Sequence, residues 1–282
     1  MSRMRILGIA AILPALACNG CIIVGISWGG PSHWTESQTQ RLELDTANLS
    51  ALEVRTHNGS IAFSGQSDAA YVEVTTKAGG CSVEDAENAL DAIDVYVEPA
   101  GAGVQRVGWR WSGLKAPTWR ARVSFDIHGP GDIDLKANTH NGPIKVGGVA
   151  GDVNVVTHNG RINVESSAGK LYAQTHNGGI SAVYAGDEVT LATHNGQIVA
   201  DLTGCRAVDG SITTHNGSVE VAVGDSTSAK LTCRAHNGGI RCSVPLVESE
   251  IKRRRLTGTI GTGEGRLSLT THNGSVRIKK AG

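Results

Sequence analysis

Aromatic residues make up only 4% of this 282-residue chain, proline contributes only 7 residues, and the formal net charge is zero. Lys+Arg and Asp+Glu both total 26, so there is no basic excess to neutralise a phosphate backbone, which argues against a nucleic-acid partner. A hydrophobic content of 40% without net charge excludes a disordered chain. Scarce proline and the lack of a glycine at every third position exclude collagen. The composition therefore predicts an ordered protein with an aliphatic core.

Glycine and histidine, by contrast, are abundant and regularly placed. Glycine contributes 37 residues, about 13% against a usual share of roughly 7%. Eight of the ten histidines are followed by Asn-Gly, and Thr precedes the histidine in every copy except Ala235. The eight are His57, His140, His158, His176, His194, His215, His236 and His272. A recurring motif of this kind indicates a repeat architecture.

Each repeat predicts two short strands joined by a bend. Apolar residues alternate in 153–157 and again in 162–164, as in half-buried strands. Thr157 and Ile162 both point inward on this pattern but lie an odd number of residues apart, so the chain bends at His158-Asn159-Gly160. Asn and Gly suit a bend because they tolerate positive φ. The structural turn residues are Asn141, Gly142, Asn159, Gly160, Asn177, Gly178, Asn195, Gly196, Asn216 and Gly217.

The repeat spacing predicts an all-β fold, a parallel β-solenoid with coils of about 18–21 residues. A hairpin meander fits the local pattern too, but recurrence of the same bend in register favours stacked coils. From His236 to His272 the interval is twice as long. We expect two coils there, the second a degenerate copy at 255–260.

The segment between His57 and His140 interrupts the repeat. Ser82-Val83-Glu84-Asp85 resembles a capping box, and apolar residues at helical spacing follow it, which predicts a helix over 83–93. Trp109, Trp111 and Trp119 cluster in the same segment. We expect the helix to cap the end of the solenoid; the alternative is an aromatic platform for a ligand.

The N-terminus predicts export. Arg3 and Arg5 precede an apolar run that ends at Cys18, with the layout of a lipoprotein signal. Cys18 is the expected lipid attachment site and Cys21 the alternative; an uncleaved anchor over 6–26 is a further interpretation. The predicted organisation is a signal at 1–17, a linker at 18–41, an N-terminal segment at 42–135 and regular repeats at 136–282.

Four more cysteines lie beyond the predicted signal. Export permits disulfides, and Cys233 and Cys242 flank one turn and are the candidate pair. Zinc-type Cys-x-x-Cys pairs are absent among the four.

Several segments together resemble the bacterial putative-adhesin family of β-strand-repeat proteins, a domain of unknown function. They are the strand-turn 52–63, the helix 83–93, the strand 122–130 and the serial Asn-Gly coils from Asn141 onward. The resemblance covers about residues 42–280. It implies a β-solenoid without assigned catalytic residues, and the name of the family rests on analogy with surface proteins.

The function expected from these features is that of a non-enzymatic, exported adhesin or surface scaffold of the cell envelope. Its partner would be a cell-surface, polysaccharide or protein ligand, with membrane attachment through the N-terminal lipid or anchor and no cofactor. One alternative is metal binding by an outward column of His140, His158, His176, His194, His215 and His236. Another is a polysaccharide-active enzyme, although acidic residues do not recur at fixed coil positions. Stacked imidazoles should also disfavour one another's protonation.

Overall fold

A computed structural model describes residues 23–27, 34–65 and 70–281 of the chain. Nearly all of the secondary structure in this part is strand, with one helix, α1 (Val83–Asp91), so the all-β prediction is confirmed. The strands are Ile23–Ser27 (β1), Trp34–Glu43 (β2), Ala51–Arg55 (β3), Ile61–Ser64 (β4), Tyr71–Gly80 (β5), Ile93–Gly101 (β6), Val104–Trp111 (β7), Arg120–His128 (β8), Asp134–Asn141 (β9), Ile144–Val149 (β10), Val153–Asn159 (β11) and Ile162–Ser167 (β12). They continue as Leu171–Asn177 (β13), Ile180–Tyr184 (β14), Glu188–Asn195 (β15), Ile198–Leu202 (β16), Asp209–Asn216 (β17), Val219–Val223 (β18), Ala229–Asn237 (β19), Ile240–Cys242 (β20), Val247–Lys252 (β21), Arg255–Ile260 (β22), Gly265–Asn273 (β23) and Val276–Lys280 (β24).

The strands form two 12-stranded sheets. Sheet A has the order β1-β2-β5-β8-β4-β10-β12-β14-β16-β18-β24-β20, and sheet B the order β21-β22-β19-β23-β17-β15-β13-β11-β9-β3-β7-β6. Across the middle of both sheets the pairing is parallel, and equivalent repeat positions face each other. Val153 of β11 pairs with Leu171 of β13, and Ile144 of β10 pairs with Ile162 of β12. The chain thus alternates between the two sheets and returns beside its previous pass.

The core lies between the two sheets and follows the alternation seen in the sequence. Val153, Val155 and Thr157 of β11 point inward and are buried, as are Ile162 and Val164 of the following strand. Stacking superimposes equivalent inward positions, so the core consists of columns of Val, Ile, Leu and Ala. Such thin layers leave little room for large rings, which accounts for the scarcity of aromatic residues.

The order of the passes at the C-terminal end corrects one prediction. Strands β23 and β24 insert between the β17–β18 pass and the β19–β20 pass, so the last copy of the motif does not lie at the end. Residues 255–260, expected to be a degenerate parallel coil, form β22, which runs antiparallel to β19 and makes a hairpin with β21. These residues contain no Asn-Gly, so they cannot continue the columns that the other passes share.

Antiparallel strands complete the N-terminal end. On sheet A, β5 and β2 extend the sheet beyond β8, and on sheet B, β6 pairs with β7. The helix begins at Ser82, whose hydroxyl accepts a hydrogen bond from the Asp85 amide at 3.0 Å, and ends at Asp91 because the chain enters β6 at Ile93. It packs against β2 and β5. The sheet ends are therefore formed by added strands rather than by the expected helical cap.

No helix in the described part of the chain has the length and apolar character needed to cross a bilayer. The predicted lipid attachment sites, Cys18 and Cys21, lie outside the described residues.

Candidate functional site

The eight copies of the motif lie side by side along sheet B, where its parallel strands end and the chain bends. Their order is His57, His140, His158, His176, His194, His215, His272 and His236, with each ring stacked on the next. The motif therefore builds four parallel columns, one each for its Thr, His, Asn and Gly positions.

The Thr column joins each pass to its neighbour from the inside. Thr157 is buried and its hydroxyl donates to the carbonyl of Gly142 at 3.0 Å. The same bond recurs from Thr139, Thr175, Thr193, Thr214 and Thr271, each to the motif glycine of the adjacent pass. At the N-terminal end Thr56 donates instead to the carbonyl of Val123.

The Gly column requires glycine for close approach rather than for a special φ. A Cβ on Gly160 would lie 1.9 Å from the carbonyl oxygen of Gly142, and one on Gly178 would lie 2.0 Å from that of Gly160. Apart from Gly59, whose φ of 159° is practically extended, no motif glycine or asparagine among the described residues has positive φ. The expectation that these residues serve positive φ was therefore wrong.

The Asn column is a continuous hydrogen-bonded ladder. Asn159 donates from Nδ2 to Oδ1 of Asn141 at 2.7 Å and accepts from Nδ2 of Asn177 at Oδ1. The ladder continues through the other motif asparagines, from Asn58 to Asn237, with links of 2.7–2.8 Å. The predicted turn residues Asn141, Gly142, Asn159, Gly160, Asn177, Gly178, Asn195, Gly196, Asn216 and Gly217 thus supply two adjacent columns, where Asn ends a strand and Gly begins the bend.

The His column points outward, as the alternation predicts. Neighbouring rings are nearly parallel, with interplanar angles of 2–8° and centroid distances of 4.5–4.9 Å. Seven rings are exposed and His272 is half-buried. Burial lowers the pKa of His272, and the charges of His236 and His215 lower it further.

The stacked rings do not form a chelating site. Ring nitrogens bind metals in the plane of the ring, and parallel planes 4.5–4.9 Å apart do not converge on one ion. Within the described ranges, no group of three or more His, Cys, Asp or Glu side chains is placed to hold a metal. The geometry therefore does not support the metal alternative for His140, His158, His176, His194, His215 and His236.

A groove of about 1280 Å³ runs beside the His column on the outer face of sheet B. Its lining comprises the His column from His140 to His236, the adjacent Thr column and the residues that precede each Thr. Four arginines complete it: Arg55 from β3, Arg234 from β19, and Arg254 and Arg255 from the β21–β22 hairpin. Among the described residues that line the groove, none is acidic.

The basic run 252–255 therefore has a place that the sequence did not reveal. In the sequence alone, Lys252-Arg253-Arg254-Arg255 has the character of a solvated loop. Instead, the antiparallel pairing of β22 with β19 sets Arg255 opposite Arg234, and the Ala235 amide donates to the carbonyl of Arg254. Three arginines therefore lie together at the His236 end of the groove. Their proximity depends on the pairing of β19 with β22, which the sequence did not predict.

The Trp cluster lies at the opposite end of the His column. Trp109, Trp111 and Trp119 line a small cleft together with His57, Lys115 and Arg120. Trp111 and Trp119 also pack against the buried Ala89 and Leu90 of the helix, and Trp119 donates from Nε1 to the Asp85 carboxylate at 2.7 Å. Hydrogen bonds from the amide and thiol of Cys81, and then this bond from Trp119, lower the pKa of Asp85 to about 2.

The candidate disulfide pair is unbonded, since Cys233 and Cys242 are both free thiols. Cys233 is buried and Cys242 half-buried, and burial raises the pKa of both thiols, that of Cys233 to about 12.

Two parallel sheets, in-register columns and an exposed histidine row define a β-solenoid-like repeat protein. The chain matches the Toastrack DUF4097 family over residues 36–279 and belongs to that family. Membership in this domain of unknown function confirms the resemblance found in the sequence.

The solved structures that match the chain are distant from it in sequence. A "putative adhesin" from Bacteroides fragilis is 12% identical, covers 87% of this chain and 97% of its own, and has a TM-score of 0.42. A "putative cell adhesion protein" from Clostridium sporogenes is 12% identical over 88% of this chain and 100% of its own, with a TM-score of 0.35. A "putative lipid binding protein" from Parabacteroides distasonis is 12% identical over 86% of this chain and 96% of its own, with a TM-score of 0.31. No curated protein matches the chain.

Proposed function

We propose that this protein is a non-enzymatic, exported protein of the cell envelope that acts as an adhesin or surface scaffold. The observation that carries the proposal is the groove along the His column. It is open and long: six ring spacings of 4.5–4.8 Å separate His140 from His236, so the histidines that line it extend over about 28 Å. A surface of that shape fits an extended polymer better than a small substrate.

The groove offers binding groups rather than a catalytic arrangement. Glycoside hydrolysis by the usual route needs two carboxylates flanking the bond, and the described lining contains no acidic side chain. The Thr residues beside the groove turn their hydroxyls inward, where each donates to a glycine carbonyl of the adjacent pass. These features favour recognition over the alternative of a polysaccharide-active enzyme.

Placement at the envelope is supported by the N-terminal sequence. Arg3 and Arg5, the following apolar run and Cys18 have the composition of a lipoprotein signal. Acylation of Cys18, or of Cys21, would hold the repeat at the membrane surface, and stable attachment would need more than one acyl chain.

The proposal is tested by measuring whether the full chain binds to cells or to components of the cell envelope. Fluorescently labelled protein is incubated with intact cells, isolated cell-wall polysaccharide and envelope protein extract, with a heat-unfolded sample as the control. Saturable binding to one of these fractions is expected. Absence of saturable binding to all three would overturn the proposal, as would release of reducing ends from a polysaccharide, because that shows catalysis.

A further inference from the structure

The cationic groups of the molecule are unevenly distributed around its groove. The whole chain is neutral, but the described groove lining combines seven histidines with four arginines and no carboxylate. Arg55 lies toward one end, and Arg234, Arg254 and Arg255 lie at the other. Local charge of one sign along a cleft concentrates ligands of the opposite sign even when the protein has no net charge.

The acidic groups near the groove are paired with cations, which for Glu53 include Arg55 of the groove itself. Glu53 accepts hydrogen bonds from Arg106 at 3.1 and 3.2 Å and also faces Lys136 and Arg55, which lowers the pKa of Glu53. On the hairpin, Glu250 pairs with Lys252.

Four further carboxylates of sheet B lie at the opposite ends of the strands, six residues before the motif histidines and about 20 Å from them. They are Asp134, Asp152, Glu188 and Asp209, which bind backbone amides or Lys170. Around the bend, on sheet A, Glu220 pairs with Lys279 and Arg277. At the other end of the column, Lys115 and Arg120 add cations beside His57.

We propose that the groove binds a linear acidic polysaccharide, whose carboxylates pair with the terminal arginines and with imidazolium groups of the His column. This inference rests on the proposed function and names the ligand of the same groove. The repeat distance of the column, 4.5–4.9 Å, places one potential cation per pass along an extended chain. The Trp cluster lies in a separate cleft that includes His57, and its rings offer an apolar surface to a neutral sugar face.

The ring geometry favours a glycan over single-stranded nucleic acid. Proteins that bind single strands without sequence preference stack bases on free aromatic faces. In the His column both faces of every internal ring are taken by the neighbouring rings, and only ring edges meet the groove. Phe, Tyr and Trp are absent from the described groove lining.

Binding of such a ligand should take up protons. The charges of His236 and His215 disfavour protonation of His272 in the free protein, and a bound polyanion offsets that repulsion. Uronate carboxylates stay ionised at pH 5.5 and at pH 7.5, so a change in affinity between these values reports on the histidines.

The experiment measures binding of the full chain to oligogalacturonate by calorimetry, with fully methyl-esterified oligogalacturonate as the neutral control. We expect affinity at pH 5.5 to exceed that at pH 7.5 by at least about tenfold and to fall with added salt. The esterified oligomer should not bind measurably. Equal binding of both oligomers, or affinity independent of pH, would overturn the inference.

Three variants locate the site. His158→Gln with His176→Gln should weaken binding several-fold at pH 5.5 and little at pH 7.5, whereas Arg234→Gln with Arg255→Gln should weaken it at both. Lys145→Gln, an exposed cation on the outer face of sheet A, is the matched control and should leave affinity unchanged. Circular dichroism confirms that each variant is folded. Equal losses in the control and the groove variants would place binding elsewhere.

Competition separates this inference from the proposed function. If the chain binds a cell-wall or protein fraction but oligogalacturonate does not compete, the proposed function stands and the ligand inference fails. Tighter binding of oligo-dT than of oligogalacturonate at equal charge would also overturn the inference and indicate a nucleic-acid ligand.

Discussion

The hydroxyl of Thr157 donates to the carbonyl of Gly142, 3.0 Å away on the adjacent pass. The same carbonyl oxygen lies where a Cβ on Gly160 would have to go. The Gly142 oxygen therefore accounts for two residues of the motif. It accepts the hydrogen bond from Thr157, and it lies so close to Gly160 that a side chain at that position would clash with it. The same residues recur in each pass because each of them makes its contacts with the neighbouring pass.

Replacing Thr157 by Val should destabilise the protein by about 1–3 kcal/mol, since the partly buried carbonyl of Gly142 loses its donor while the shape of the side chain is retained. Urea unfolding measures the change. Thr157→Ser, which keeps the hydroxyl, should cost less than Thr157→Val. The reverse order would show that the methyl group, and not the hydrogen bond, matters at this position.

Gly142→Ala should be strongly destabilising, by about 3 kcal/mol or more, because the new Cβ would lie 1.9 Å from the backbone oxygen of Gly59 and the backbone must shift. Gly147, in the same pass, has its nearest such atom at 3.8 Å, so Gly147→Ala is the control. Thermal unfolding of both variants is compared. Equal melting temperatures would contradict the close-approach explanation.

Asn159→Asp should cost about 1 kcal/mol, because a carboxylate cannot donate to Oδ1 of Asn141 and places like charge density against it. Asn154 is exposed on the same strand and outside the ladder, so Asn154→Asp controls for the added charge. Urea unfolding at pH 7 measures both. A cost shared by the two variants would mean that charge alone is responsible.

The pKa of His272 should lie below the ordinary histidine value, and it should rise when His215 and His236 are both replaced by Gln, because their charges lower it. A lowered pKa in the folded state means that the folded protein binds fewer protons than the unfolded chain. The contribution of His272 to stability is thus present above the ordinary pKa and lost as the pH falls. NMR titration of the ring protons measures the shift; identical midpoints in both proteins would exclude coupling.

Glu36→Gln should raise the melting temperature at pH 7. The Glu36 side chain is buried, at 3% exposed, and burial and then the charge of Glu87 raise its pKa. A raised pKa in the folded state means that stability is complete below the ordinary glutamate value and is lost as the pH rises through the folded value. The gain should therefore vanish near pH 4. Glu43→Gln, on the same strand but exposed, should show no such pH-dependent gain.

Much of the repeat could be predicted because its information is local. The alternation in 153–157 determines which side chains point inward, and it correctly placed Thr157 inside and the histidines outside. The role of the motif glycines was misjudged, because close approach to another pass is not visible within one pass. The available signal was the recurrence of glycine at the same position of every copy of the motif.

The sequence by itself determined the all-β character, the family and the existence of a histidine column, because periodicity and alternation are properties of neighbouring residues. Only the tertiary structure decided the order of the passes, with His272 between His215 and His236. It also decided that Arg234, Arg254 and Arg255 close one end of the groove. Both depend on pairing between strands far apart in the chain, where several partners offer compatible edges. The passes of His236 and His272 both carry the motif and both continue the Asn ladder, so the motif by itself does not decide their order. The antiparallel hairpin then pairs with the free side of β19.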